Sequence, residues 1–320
     1  MFKSVIVYRI APGWVPPSIA ALEEGLGRGR FAPCGATEAR SAGWIEPRGR
    51  EHASLLESVG SHLIFSLRSE TRAVPASVVK SALEERLRRT EDETGARPRG
   101  KRRKELKEEV VIDLLPRAFS KYSTTWLWLD PQAGMLVAGA GSATRADEAV
   151  AALRETFRGI GDELAVQPVK TALSPSVAMS NWLSCREAPA GFTIDRECEL
   201  KQGVAAAGAA ASEAATIRDG PPAGSRPEAN AVVRYARHNL DIDEIVAHIE
   251  QGKLASRLAM TWRDRVSFVL DAQMTLKKIE ILDVALEDGA RGSGSRDAED
   301  GFDAALRTLI RAGVVEARAA

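Results

Sequence analysis

Cysteine and histidine are scarce in this sequence, and their scarcity narrows the chemistry that the chain can perform. The three cysteines, Cys34, Cys185 and Cys198, are far apart and odd in number, which argues against a disulfide framework. None of the four histidines pairs with another at i, i+4, and no cysteine lies at ligand spacing. We therefore expect no metal site, no cofactor and a reducing, cytoplasmic setting.

Long apolar runs and nucleotide-binding motifs are also missing. No stretch approaches the roughly 18 apolar residues of a membrane helix, and the N-terminal apolar stretch meets Pro12 too early for a signal peptide. The turn-like segment 139–144 lacks the third glycine of a dinucleotide fingerprint and the lysine of a P-loop. Since no group of residues is arranged for a reaction, the sequence predicts neither a membrane protein nor an enzyme.

The composition that remains is typical of a globular protein. The chain has 320 residues, of which 44% are apolar, and its 44 basic and 44 acidic residues give a net charge of zero. This length predicts two domains or one large elaborated domain. We place an N-terminal α+β domain at 1–170, with a helical arm at about 75–121, and a C-terminal α+β domain at 171–320. An Ala-, Gly- and Pro-rich stretch at about 203–228 predicts a flexible insertion.

Hydrophobic periodicity predicts α+β architecture with antiparallel sheets. Alternating residues predict strands at 2–10, 61–68, 122–130, 135–140, 166–170, 191–201 and 231–237, and three more after residue 252. Helical spacing predicts helices at 16–26, 75–93, 101–115, 144–158, 175–184, 241–250 and 302–315. Asp241 is the expected N-cap of the helix at 241–250. The segment 31–49 is interpreted as turn-rich.

The neutral total conceals an uneven distribution of charge. Residues 86–107 contain ten basic and four acidic residues, whereas 283–303 contains seven acidic residues and two arginines. Clustered Lys and Arg release counterions when they neutralise phosphates, so the basic window indicates nucleic-acid binding. A solvated helix softened by i, i+4 pairs such as Lys101 with Glu105 is the alternative.

A second basic set lies in the other half of the chain, at Arg234, Arg237, Lys253 and Arg257. Strict strand alternation places Lys253, Ala255, Arg257 and Ala259 on one face and Leu254, Ser256, Leu258 and Met260 on the other. Two basic surfaces from different domains would suit a concave DNA-binding face. A solvated outer sheet face explains the second set equally well.

Several segments together resemble the RdgC family of recombination-associated, ring-forming bacterial DNA-binding proteins. They occur in the family's order, from FKSVIVYRI (2–10) through FAPCG and SAGWIEPRG (31–49), VIDLLPRAFS (111–120), TTWLWLD (124–130) and GFTIDRECELK (191–201) to IDEIVAHIEQGK (242–253) and RLAMTWRDRVSFVL (257–270). Each is weak alone. The combination of PCG with GW, LLPRAFS and the late Leu-Ala-x-x-Trp segment is specific.

The resemblance implies a curved, horseshoe-like subunit with a helical arm, closing as a ring-shaped homodimer around duplex DNA. It further implies low sequence specificity, weaker binding to single-stranded DNA, competition with RecA filaments and a nucleoid location. We assign DNA contacts to Arg97, Arg99, Lys101, Arg102, Arg103, Lys104, Lys107, Arg117, Lys121, Arg234, Arg237, Lys253 and Arg257. Phe119, beyond a helix end, is the hypothesised anchor of the dimer interface, with an ordinary core position as the alternative.

Two other functions stay open. The chain could be a protein–protein adaptor that binds the recombinase directly, with the acidic 283–303 stretch facing a basic partner. It could also be a phosphoryl-transfer enzyme acting on DNA, which needs clustered carboxylates for Mg²⁺, and only that acidic stretch offers them.

Overall fold

The computed structural model describes residues 2–49, 53–202, 232–236 and 240–282. Two compact units are present, and each is discontinuous in sequence. The first, here called the arm unit, comprises residues 10–136 and 147–165; the second, the C-terminal unit, comprises 1–9, 137–146 and 166–320. The predicted division of the chain near residue 170 stays a prediction. The α+β class is confirmed, with helices on antiparallel strands.

The helices and strands of the described residues follow the predicted order, with two additional strands, β2 (Arg40–Ile45) and β3 (Leu56–Val59). The helices are α1 Ile19–Arg28, α2 Ala76–Thr94, α3 Gly100–Leu114, α4 Ala143–Gly159, α5 Pro175–Cys185 and α6 Ile242–Glu250. The strands are β1 Ser4–Ile10, β2 Arg40–Ile45, β3 Leu56–Val59, β4 His62–Arg72, β5 Ser120–Asp130, β6 Met135–Ala138, β7 Val166–Pro168, β8 Phe192–Gln202, β9 Val232–Tyr235, β10 Lys253–Trp262, β11 Val266–Asp271 and β12 Thr275–Ile281.

In the arm unit, the long strand β4 organises the sheet. One edge of β4 pairs antiparallel with β5, and the other pairs with β3 along its first half and with β2 along its second half. Phe65 and Leu127 on these strands are fully buried, as are Leu26 of α1 and Phe157 of α4. This apolar burial supplies a core that holds β4 and β5 in place, and these are the strands that precede and follow the arm.

Strand β2 was not predicted, because the segment 31–49 was interpreted as turns. At Gly43 the strand lies close to the backbone of Phe31. Any residue with a Cβ would clash here, because a Cβ on Gly43 would lie 2.4 Å from Cα of Phe31. The neighbouring Trp44 is buried, and its Nε1 donates to Oγ1 of Thr156 at 2.9 Å. The Gly-Trp pair is therefore a packing requirement that local propensity does not reveal.

The predicted helical arm is confirmed as a hairpin of α2 and α3. The two helices pack through Leu83 and Leu87 of α2 and Leu106 of α3, all buried. Helix α2 ends at Gly95, whose left-handed conformation (φ 73°) lets its N–H donate to the carbonyl of Glu91 at 2.8 Å. A bend at 95–96 and residues 97–99 then connect α2 to α3.

In the C-terminal unit the strands follow the order β1-β12-β11-β10-β8-β9, and β7 pairs with β1. The neighbouring strands from β1 through β12, β11, β10 and β8 to β9 run antiparallel. Helices α5 and α6 pack on β10 and on each other. The expected cap of α6 is present, since the Asp241 carboxylate accepts from the N–H groups of Asp243 and Glu244 at 3.1 and 3.2 Å.

Some predicted features lie outside the described residues. They are the insertion at 203–228, the acidic stretch at 283–303, the last helix at 302–315 and the contact residue Arg237. Within the described part of the chain, no helix combines the length and apolarity needed to cross a bilayer.

Candidate nucleic-acid interface

The arm presents its basic residues to solvent because its apolar residues face each other. Leu83, Leu87 and Leu106 occupy the seam between the helices. The side chains of Lys101 and Lys104 on α3 are 92% and 80% exposed. Since residues three apart are neighbours on a helix surface, Lys101, Lys104 and Lys107 form a stripe along α3.

Positive charges are concentrated at the N-terminus of α3, where the positive end of the helix dipole repels them. Arg99 is the N-cap residue and provides no side-chain cap, and the first turn contains no acidic residue. Lys101 and Arg102 follow Gly100 in the first turn, so their charges add to the positive end of the helix dipole. An anion bound at this end would be attracted by the side chains and by the exposed N–H groups.

Acidic neighbours occupy part of the predicted DNA-binding set. The ion pairs that engage predicted contact residues of the arm are Arg97–Glu84, Arg97–Glu91 (3.8 Å), Arg103–Glu84 (3.7 Å), Arg102–Glu105 (3.2 Å), Arg102–Glu109 (3.6 Å), Lys101–Glu105 (3.9 Å) and Lys104–Glu108 (3.9 Å). Exposed pairs of this kind contribute about 0–1 kcal/mol each, so a phosphate can compete for these cations. The solvated-helix interpretation thus describes part of the arm.

Four exposed members of the predicted set have no ion-pair partner among the described residues, and half-buried Lys253 has none either. The exposed four lie two on the arm and two where the chain leaves it: Arg99, Lys107, Arg117 and Lys121. Arg88 on α2 shares these properties, although the prediction did not include it. No ion pair among the described residues has to be displaced before these cations bind phosphate.

A buried carboxylate that sequence reasoning missed joins β4 and β5, the strands that precede and follow the arm. Glu70, on the last part of β4, accepts from Oγ of Ser120 at the start of β5, from Nε of Arg72 (3.3 Å) and from the N–H of Cys34 (2.8 Å). The hydrogen bonds from Ser120 and Cys34 hold the pKa of Glu70 below its ordinary value. Burial, and the nearby Glu70 charge, raise the pKa of the Cys34 thiol, so this cysteine stays protonated.

Phe119, the hypothesised interface residue, is 94% exposed, so its alternative assignment to the core of the chain is wrong. Two further side chains close to it in the sequence are also accessible: Tyr122 is 55% and Ile112 45% exposed. Pro116 lies in the short 3₁₀ turn Leu115–Arg117 that follows α3, and Phe119 lies between this turn and β5. The role of Phe119 in a dimer stays a prediction.

The second basic set is arranged differently from the prediction. Strict alternation along β10 is wrong, because a β-bulge between Ala255 and Arg257 shifts the phase of the strand. Ser256 and Arg257 both reach Glu199 on β8, whereas Ala255 and Leu258 are both fully buried. A one-residue bulge cannot be recognised from the pattern of residues alone.

Glu199 is the centre of a cation cluster in the C-terminal unit. It accepts from Arg234 Nε (3.1 Å) and lies 3.1 Å from Nζ of Lys201 and 3.5 Å from Nη1 of Arg257. Burial raises the pKa of Glu199, but hydrogen bonds from Arg234, Ser256 and Lys201 outweigh burial and lower it to about 2. Lys253, also in the predicted set, lies apart from these cations and contacts His248 Nδ1 at 3.0 Å.

Candidate metal ligands do not converge in the part of the chain that the structure describes. No group of three or more His, Cys, Asp or Glu side chains there is placed to hold an ion. The acidic stretch considered for Mg²⁺ lies outside that part.

Comparison with known proteins shows one family over nearly the whole chain. A family model described as "Putative exonuclease, RdgC" matches residues 1–218 and 208–313. A protein of Dechloromonas aromatica named "Recombination-associated protein RdgC" is 37% identical over 310 residues, covering 96% of this chain and 92% of its own length. Proteins of the same name from Janthinobacterium sp. (36% identity, 96% and 92% coverage) and Cupriavidus pinatubonensis (37%, 95% and 91%) are similar. Since both the family model and relatives above 30% identity span the chain, it belongs to the RdgC family.

Proposed function

We propose that this chain binds double-stranded DNA without reading its sequence and thereby limits the access of RecA filaments to DNA. The observation that carries the proposal is the group of exposed cations without acidic partners among the described residues, Arg99, Lys107, Arg117 and Lys121. The name of the relatives, recombination-associated protein, gives the process in which such binding would act.

The chemistry of the surface suits the DNA backbone. Its side chains are lysines and arginines at a helix N-terminus and along exposed helix faces, which neutralise phosphates and release counterions. Contacts to phosphate and sugar fix a protein on the duplex and carry no direct sequence information. Single strands offer a lower charge density, so binding to them is weaker.

The assembly that we propose is a ring-shaped homodimer of horseshoe-like subunits around the duplex. The high exposure of Phe119 supports a role for this residue in the interface, because an exposed aromatic side chain gains binding free energy when a partner removes it from water. A closed ring would slow dissociation, because an interface must open before the protein can leave a circle. Occupied DNA would exclude RecA, and the protein would reside on the nucleoid.

The proposed action is not catalytic, and this can be tested against the exonuclease in the family's description. End-labelled linear duplex is incubated with the protein and Mg²⁺ or Mn²⁺, and its length is followed on a denaturing gel. We expect the label to stay at full length. Metal-dependent shortening that persists through purification would contradict this part of the proposal.

The decisive experiment compares a linear duplex with a closed circle of the same random sequence across a salt series. We expect salt-sensitive binding to both, with slower dissociation from the circle. Equal dissociation from both forms would leave DNA binding in place and refute the ring. No binding to either form would refute the proposed function and favour the adaptor, which predicts association with the recombinase without DNA.

A further inference from the structure

The strand register of the C-terminal unit surrounds one carboxylate with cations. Glu199 on β8 lies directly opposite Arg234 on β9 and opposite Arg257 on β10. Directly paired residues have Cβ atoms about 4.5–5.5 Å apart on the same face of a sheet. Lys201, two residues further along β8, shares that face. The pairing of three strands, rather than the flexibility of the side chains, thus brings the three cations together.

The bulge in β10 fixes this arrangement. Ser256 is the extra residue between the pairs Ala255–Leu200 and Arg257–Glu199, and its Oγ donates to Glu199 Oε1 at 2.8 Å. The N–H of Ala255 donates to Oγ of Ser180 on α5 at 2.9 Å. The bulge is therefore anchored through both β8 and α5, and Arg257 has a defined position beside the carboxylate.

The cluster keeps an excess of positive charge at the surface. The Glu199 side chain is only 3% exposed, whereas those of Lys201, Arg234 and Arg257 are 52%, 58% and 39% exposed. One negative charge against three positive charges leaves an excess of two. Glu197, which also acts on Arg234, does not change the balance because it is paired with Lys278. Arg234 uses Nε and one terminal nitrogen on Glu199, and a guanidinium has five N–H donors. Donors on all three cations thus stay accessible to an anion from solvent.

We propose that Glu199 is a positioning residue that holds Lys201, Arg234 and Arg257 together as one binding site for a phosphodiester group of the DNA backbone. This inference rests on the proposed function and adds a second contact surface, in the C-terminal unit, to the one on the arm. A buried carboxylate that orients outward-facing donors pre-organises them, so less side-chain entropy is lost when phosphate binds.

The sign of the effect of Glu199→Gln distinguishes positioning from simple neutralisation. If Glu199 only cancels charge, its removal increases net positive charge and tightens DNA binding. If Glu199 positions the cations, they separate by mutual repulsion and binding weakens. We expect weaker binding and a salt slope reduced by about 0.9 for each phosphate that the variant no longer neutralises. Glu155→Gln on α4 is the control, because it makes the same change of charge in the arm unit, at an exposed ion pair with Arg158.

A second variant keeps the test valid if the buried substitution disturbs folding. Glu199→Asp retains the charge and shortens the side chain by one methylene. Positioning predicts that Glu199→Asp binds duplex less tightly than the unmodified chain, whereas neutralisation predicts equal binding. Single replacements of the exposed Lys201, Arg234 and Arg257 by Gln should each reduce the salt slope.

The assay is fluorescence anisotropy of a labelled random duplex with the full chain across a salt series, and circular dichroism establishes that each variant is folded. If Glu199→Gln or Glu199→Asp binds as well as, or better than, the unmodified chain, the inference is wrong and the proposed function stands. The same holds if none of the three cation replacements changes the slope. If the unmodified chain itself binds no duplex, both the proposed function and this inference are wrong.

Discussion

Replacing the four exposed predicted contact residues that have no ion-pair partner among the described residues is expected to flatten the salt dependence of duplex binding. The variant carries Gln at Arg99, Lys107, Arg117 and Lys121. All four side chains are exposed, so the fold should tolerate the changes. The observable is the slope of log K against log salt concentration.

The magnitude follows from counting phosphates. If each of these residues neutralises one phosphate, the slope becomes shallower by about 3.6, at about 0.9 per phosphate. Between about 50 and about 200 mM salt, the affinity of the unmodified chain then falls about 150-fold more than that of the variant. Cations already held by Glu84 or Glu105 should contribute less per residue, because a phosphate must first displace the carboxylate.

A matched variant removes the same charge elsewhere. It carries Gln at four exposed cations outside both candidate surfaces: Lys3, Arg145, Arg154 and Arg158. Fluorescence anisotropy with one random duplex, over the same salt series, measures both variants. The reasoning is refuted if the two variants have equal slopes, because net charge alone would then explain binding.

Four further predictions concern residues that stabilise the fold around the candidate DNA-binding surfaces. Leu87→Ala should cost about 2–5 kcal/mol, because Leu87 is 1% exposed in the arm seam; urea unfolding measures the destabilisation, and hydrogen exchange should locate it in α2 and α3. Gly43→Ala should lower the free energy of unfolding by about 1–3 kcal/mol, since the new Cβ meets the backbone of Phe31. An unchanged urea midpoint would contradict the close approach. Asp241→Ala should cost about 1 kcal/mol by removing the cap of α6, seen as a lower Tm, whereas Asp241→Asn should nearly preserve it. Glu199 has its pKa lowered to about 2 from an ordinary value of 4.5, so its contribution to stability is present above about pH 4.5 and disappears as the pH falls towards 2; urea midpoints of Glu199→Gln and the unmodified chain should therefore converge in acid, and parallel curves would refute the assignment.

The sequence predicted the local elements well where a short-range signal exists. The arm helices follow from apolar spacing and from the breaks at Gly95 and Pro116, and Asp241 caps α6 as expected. Each of these features depends on residues a few positions apart, so the chain carries the information locally. The family resemblance also followed from the order of short segments.

Strand β2 and the phase of β10 could not be predicted in the same way. The backbone at Phe31 passes close to Gly43 in its strand, and the bulge at Ser256 is a shift in how β10 pairs with β8, a strand distant in sequence. Local propensity opposes glycine in a strand and contains no sign of a bulge. Such features arise from pairing between residues that are separated in sequence.

The sequence by itself determined which residues carry positive charge and on which elements they lie. Only the tertiary structure decided which of those charges are engaged. Arg97 and Arg99 look equivalent in the sequence, yet Arg97 pairs with Glu84 from the facing helix, and Arg99 has no partner among the described residues. Glu199 looks like any strand glutamate until three strands surround it with cations. Electrostatic energy depends on distance through space, and folding sets that distance.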